Sequence, residues 1–199
     1  MGLKRKVGLF GGAFDPPHKA HAVLARGAVE QLGLDELHIC PTGDAWHKAR
    51  GLTDAHHRLE MARIAFAGVP RAVLDDREIR RAGATYSIDT LRELHAEEPA
   101  ADLYLVIGED QAASFTSWRE WEAVARLATI CVARRQYSVA AQPPLALPAG
   151  VRVVQLALPI LPESATEVRH RLTQGQAISE LVAPGVARYI AQHHLYQSA

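Results

Sequence analysis

The chain has 199 residues, 22 basic and 22 acidic side chains that balance to a formal net charge of zero, and two cysteines. That length suits one sizeable domain, and the absence of a global basic field argues against a nucleic-acid polymer as partner. Cys40 and Cys131 stand beside apolar runs, as buried thiols in a reducing compartment do, and Lys4-Arg5-Lys6 precedes only a four-residue apolar run, so a cytoplasmic chain with no secretory leader and no membrane span is expected.

The first predicted element is a strand over Lys6–Phe10. It runs into Gly11-Gly12-Ala13-Phe14-Asp15-Pro16-Pro17-His18-Lys19-Ala20-His21, a glycine turn opening a helix from Pro17 to Leu32. Glycines let backbone N–H groups approach a phosphate, and a helix start adds unpaired donors and partial positive charge. His18 and His21, three residues apart, share one face of that helix and suit chemistry on a phosphate. Proline is also an ordinary helix opener, and two histidines can begin a metal site, although no cysteine or third histidine stands nearby to complete a zinc set.

A second strand over Glu36–Cys40 leads into a loop carrying Lys48, an ordinary solvated lysine or a mobile cation for an anionic ligand. A helix over Asp54–Ala67, a strand over Ala72–Asp75, a helix over Ser87–Glu97 and a fourth strand over Leu103–Ile107 follow. That strand ends in Gly108-Glu109-Asp110, where Asp110 either binds a ribose hydroxyl or caps the next helix. A helix over Trp118–Leu127 and strands over Thr129–Ala133 and Arg152–Leu156 come next, the last two separated by a proline-rich surface loop. Helices over Ser164–Gln174 and Pro184–His193 close the chain. Ser164 and Glu167 spell a capping box, while Thr166 and Arg169 add a hydroxyl and a forked cation suited to phosphate oxygens.

Short, wholly apolar strands alternating with helices predict a doubly wound, Rossmann-like parallel sheet with helices on both faces. One domain is expected over 1–199, with a sheet core over 1–156 and a small helical extension over 157–199. Ligands bind such sheets at the carboxyl ends of strands where strand order reverses, which would set Gly108 and Asp110 across one crevice from Gly11 and His18.

The first string resembles the Gly-Gly-Thr-Phe-Asp-Pro-x-His-x-Gly-His signature of nucleotidyltransferases. Thr85-Tyr86-Ser87-Ile88-Asp89-Thr90-Leu91 is similar to the Thr-Tyr-Thr-Ile-Asp-Thr-Leu string of bacterial nicotinate mononucleotide adenylyltransferases. Gly108-x-Asp110 with Trp118 and Trp121, Ser164 to Arg169, and Pro184 to Tyr196 resemble further segments of that family, in the same order. The resemblance implies transfer of the adenylyl group of ATP to nicotinate mononucleotide, giving the acid dinucleotide precursor of NAD and pyrophosphate. It implies His18, His21 and Lys48 as catalytic groups. Gly11, Gly12, Ala13, Phe14, Gly108, Asp110, Arg134, Ser164, Thr166 and Arg169 would hold ATP, with the helical extension completing its site. Thr85, Tyr86 and Trp118 would hold the mononucleotide, Trp118 by stacking on the pyridine ring. Mg2+ would arrive with ATP rather than sit in a protein cage.

Ala13, Ala20 and Ala165 replace the family's usual Thr, Gly and Ser, and Arg135-Gln136 replaces its Pro-Gly, departures that bear on affinity more than on activity. A phosphopantetheine adenylyltransferase-like enzyme and a nucleotide-sensing module without turnover are the alternatives. The sequence carries no signal for oligomeric state.

Overall fold

Six strands alternate with helices in chain order in the computed structural model, which describes residues 4–43, 51–135, 147–159 and 163–197, with the backbone alone for Arg134 and Arg135. The strands are β1 (Lys6–Gly12), β2 (Glu36–Pro41), β3 (Ala72–Leu74), β4 (Asp102–Gly108), β5 (Ala128–Arg135) and β6 (Val153–Leu158). They form one sheet in the order β3-β2-β1-β4-β5-β6, and every neighbouring pair is parallel. The expected doubly wound sheet is therefore present, and its order reverses between β1 and β4.

The apolar character of the strands has a simple cause: alternate residues feed two different cores. Phe10, Leu37, Ile39, Val106, Cys131 and Leu156 face one side, where α1 (Lys19–Leu32) and α2 (Ala55–Phe66) cover them. Val7, Leu9, Leu103, Leu105, Ile107, Ile130 and Val132 face the other, under α4 (Ser87–Glu97) and α6 (Trp121–Leu127). On α1 the buried Leu24, Ala25, Ala28, Val29 and Leu32 recur at helical spacing, so one stripe meets the sheet. A third cluster joins Met61 of α2 to Val168 of α7 (Ala165–Thr173) and to Val186 and Ile190 of α8 (Pro184–Gln192), docking the C-terminal helices beside the crossover from β2 to β3.

β2 is tied to the chain after β3 by a row of alternating charges. His38 sits between Glu36 and Asp75, its Nε2 3.0 Å from one carboxylate and its Nδ1 2.8 Å from the other. Arg77 donates from Nε to Asp75 at 2.7 Å and forks onto Glu97 of α4 at 3.1 and 3.0 Å.

Three elements were not expected: α3 (Arg77–Arg80), α5 (Glu109–Ala113) and a 3-10 turn at Phe115–Ser117. Each is too short to show a periodicity in sequence. Two helix starts also differ from expectation. Trp118 stands outside α6, because Glu120 adopts a left-handed φ of 51° and the helix begins only at Trp121. Pro16 and Pro17 lie in the bend before α1, whose N-cap is His18. Among the described residues no helix is long and apolar enough to cross a membrane.

Candidate active site

A cavity of about 670 Å3 opens at the carboxyl end of the sheet where β1 and β4 part. Gly11, Gly12 and Ala13 form one wall, Leu105, Val106 and Ile107 of β4 form its floor, and Thr85, Tyr86 and Trp118 stand opposite. The glycine turn and the three expected acceptor residues, far apart in sequence, thus share one crevice. A Cβ on Gly11 would touch only the Cys40 carbonyl at 3.9 Å, and one on Gly108 only Gln111 Oε1, also at 3.9 Å. Neither glycine is required by packing at that distance, and Gly11 lines the cavity. Gly11→Ala is accordingly expected to keep the wild-type Tm within error while weakening ATP about tenfold or more, a loss of at least about 1.4 kcal/mol. Thermal melts beside ATP titrations check this.

At the start of α1 the histidines lie ring against ring, with centroids 3.7 Å apart and planes 31° from parallel. The His18 backbone N–H donates to His21 Nδ1 at 3.1 Å. That nitrogen is then an acceptor, so the proton of a neutral His21 ring resides on Nε2. His18 faces a neighbouring groove together with Lys19 and Arg26 rather than the main cavity.

Phe14, expected at the nucleotide, turns its side chain away from the cavity. Its side chain is buried against Phe10 and Phe66 and meets the His21 ring edge-on at 5.2 Å, so it seats the histidine from the core side. Its φ of 46° brings the chain sharply round between glycine turn and histidines.

The loops that carry these groups are braced by side chains that the sequence reading passed over. Arg58 of α2 is 2% exposed and donates to the carbonyls of Thr53, Ala13, Thr42 and Gly43 at 2.8, 3.1, 2.6 and 3.4 Å. It joins the glycine turn to the loop leaving β2. Gly43 in that loop passes so close to α3 that a Cβ would lie 2.2 Å from the Glu78 carbonyl oxygen, which only glycine allows. Asp15 is buried, accepting from the Tyr196 hydroxyl at 2.6 Å.

In α7 the Ser164 hydroxyl accepts from the Glu167 N–H at 3.1 Å, the N-cap half of the expected capping box. The Glu167 carboxylate accepts instead from Arg171 at 2.8 Å. Arg169 donates to the Asp15 carbonyl at 2.7 Å and to Thr166 at 3.2 Å. The guanidinium expected at phosphate thus holds the loop in front of His18.

Across the cavity Thr85 is 7% exposed, and among the described residues its hydroxyl has no hydrogen-bond partner. It does not cap α4, whose N-cap is Tyr86 and whose first turn has no side-chain cap. Trp118 packs on Phe115 at 5.7 Å while also lining the cavity. Arg119, a lining residue the sequence reading missed, places its guanidinium 4.6 Å from the Tyr86 ring centroid. Asp110 is exposed on the first turn of α5, where Gly108 is the N-cap, so Asp110 is not the cap. Lys48 lies outside the described residues, as does the side chain of Arg134.

Glu78 also lines this cavity, and burial pushes its carboxyl from 4.5 to about 6, against the hydrogen bond from Thr90 and the charge of Arg81. Asp75 shifts the other way. Burial alone would raise it, but hydrogen bonds from His38 and from the Arg77 backbone and side chain hold it at about 2, below its ordinary 3.8. The depressed Asp75 contributes stability that is present above its unfolded value and lost as pH falls toward about 2. Glu78 contributes stability that is present below 4.5 and lost as pH rises through about 6. Each is worth about 2 kcal/mol, so denaturant melts against pH should peak near pH 4 to 5 from these two groups. Glu78→Gln should remove the decline above that peak and leave the acid limb in place.

The cytidylyltransferase-like family model matches residues 9–171, which puts the chain in that class of nucleotidyltransferases. A relative from Albidiferax ferrireducens, named "Probable nicotinate-nucleotide adenylyltransferase", is 48% identical over 98% of this chain and 100% of its own. One from Neisseria meningitidis serogroup B with the same name is 37% identical over 97% of this chain and 99% of its own. The chain belongs to the nicotinate-nucleotide adenylyltransferase family. The solved Plasmodium falciparum nicotinic acid mononucleotide adenylyltransferase complexed with NaAD has the same fold, with a TM-score of 0.79 over 96% of this chain and 97% of its own, at 20% identity.

Proposed function

We propose that the chain joins ATP to nicotinate mononucleotide, forming nicotinate adenine dinucleotide and releasing pyrophosphate. The observation that carries this reading is the single crevice at the β1/β4 parting. It has a glycine wall with room for phosphates on one side and an unsatisfied buried Thr85 hydroxyl among aromatic rings on the other. A buried hydroxyl without a partner is costly unless a ligand satisfies it.

In the proposed reaction an oxygen of the mononucleotide's phosphate attacks the α-phosphorus of ATP. A new P–O bond forms as the bond to the β-phosphate breaks, and the electron pair leaves on pyrophosphate. The attacking monoester is largely ionised near neutral pH, so no protein base is needed. What remains is to align two anions and to stabilise charge on the transferring group. The Nε2–H of His21, the His18 ring and the positive end of α1 supply donors and field for that charge. Lys48 and Arg134 are proposed to share the triphosphate, with Ser164, Thr166 and Arg169 of the C-terminal helices closing the ATP side and Asp110 at the ribose. Magnesium is read as part of the ATP substrate. A reducing cytoplasm suits the two buried free thiols, Cys40 and Cys131.

The test is pyrophosphate release with ATP and a panel of acceptors. Turnover with nicotinate mononucleotide and none with phosphopantetheine is expected. Turnover only with phosphopantetheine would transfer the site to the other adenylyltransferase class, and nucleotide binding with no acceptor used would make it a sensor.

A further inference from the structure

We propose that Tyr196 is a positioning residue for the histidine pair, acting through Asp15 on the loop that delivers His18 to the start of α1. The inference rests on the proposed role of His18 and His21 as donors to the phosphates, which His18 would meet from the groove it lines beside the main cavity. Asp15 is 3% exposed, and three separate elements converge on it. The Tyr196 hydroxyl donates to Oδ1 at 2.6 Å, the Thr53 N–H to Oδ2 at 3.4 Å, and Arg169 to its carbonyl at 2.7 Å. None of the three belongs to β1 or α1, the elements that the loop connects. The chain between glycine turn and histidines is therefore oriented from outside, and its shortest bond comes from a residue 181 positions further on.

Tyr196 reaches this place against local preference. His194 and Tyr196 hold φ of 51° and 62°, in the left-handed region that residues with a side chain rarely adopt. Tertiary contact compensates: Leu195 and Tyr196 pack on the cluster formed by α2, α7 and α8. Burial, reinforced by Asp15, pushes the Tyr196 hydroxyl far above its ordinary value, so it stays a donor at every pH at which an enzyme of this class would be assayed. Because the His18 N–H also holds His21, a displacement of this loop moves both rings together. In-line transfer is sensitive to misplacement of a fraction of an ångström to one ångström.

Tyr196→Phe removes only the hydroxyl and keeps the packing. We expect kcat for pyrophosphate release to fall about tenfold, with the KM for nicotinate mononucleotide within about twofold of wild type. The imidazole NMR signals of His18 and His21 should shift while those of the exposed His95 stay in place. In a His18→Ala/His21→Ala background the same substitution should add nothing to the loss of kcat. Unchanged kcat with unmoved His18 and His21 signals overturns the inference, and so does full additivity in the double-alanine background. The ring signals are read on folded enzyme and decide the case even where the variant melts lower. If the double-alanine enzyme itself turns over at the wild-type rate, the phosphate-facing reading of the histidines fails and this inference with it, an outcome distinct from the other two.

Discussion

His18→Ala and His21→Ala are each expected to lower kcat by about 10²-fold or more, with a smaller effect on ATP affinity, because in the proposed mechanism they remove donors to charge that develops only in the transition state. The two should differ in stability. His21 Nδ1 accepts the backbone N–H of the helix N-cap, so His21→Ala also loses about 1 kcal/mol of helix capping, whereas His18→Ala leaves that bond in place. Amide replacements separate the two ring nitrogens of His21. Glutamine can present a donor near the Nε2 position and asparagine an acceptor near Nδ1. If outward donation from Nε2 is the catalytic contribution, His21→Gln retains more kcat than His21→Asn, while His21→Asn melts closer to wild type. Steady-state kinetics with thermal melts on the four variants test this. A rise in KM at constant kcat would reduce the pair to nucleotide positioning, and unaltered kinetics in both alanine variants would remove it from the chemistry.

Nicotinate mononucleotide is expected to be preferred over its amide by about 10²-fold or more in kcat/KM, the discrimination that polar complementarity achieves and a size filter does not. The two acceptors differ by a carboxylate against a carboxamide. The wall they would meet offers the start of α4, whose first turn has no side-chain cap, and the nearby Arg119 guanidinium. Both favour an anion. The Thr85 hydroxyl can donate to either group, so Thr85→Val is expected to lower kcat/KM about tenfold without changing the ratio much. Arg119→Ala should shrink the ratio, and Trp118→Ala should raise the KM of both acceptors. Glu78 adds a pH signature. Its carboxyl, pushed to about 6, opposes the ligand carboxylate when ionised, so the acid preference should widen as pH falls through that value. Both mononucleotides carry the same phosphate, so its titration cancels in the ratio. Equal kcat/KM for the two acceptors in the wild type would sink the acid preference, and a ratio flat across pH 5 to 8 would free it from Glu78.

Much of this protein was legible in one dimension because its information is local. Alternating apolar strands and striped helices announce a parallel sheet covered on two faces, and the strand order then puts the ends of β1 and β4 side by side. The strings at Gly11 to His21 and at Thr85 to Leu91 mark the two walls of the crevice, because turn glycines, proline and paired histidines have meaning at fixed short spacing. That is as far as spacing reaches. Phe14 reads as part of a nucleotide loop, yet its side chain turns into the core beneath His21.

What only the tertiary structure decided are the interactions whose partners are distant in sequence. Arg58, in the first turn of α2, carries no local mark to distinguish it from a solvated arginine, and only packing turns it onto the carbonyls of two site loops. Arg169 reads as a phosphate ligand, and its bond to the Asp15 carbonyl could not be foreseen. Nor could the meeting of Tyr196 with Asp15 or the burial of Glu78 beside the acceptor wall. The sequence by itself determined the sheet, its switch point and the chemical character of the site, since these depend on periodicity and on turn residues a few positions apart. Which groups brace that site, and which carboxyls have their ionisation shifted around it, depends on burial and on through-space partners, and those exist only once the chain has closed on itself.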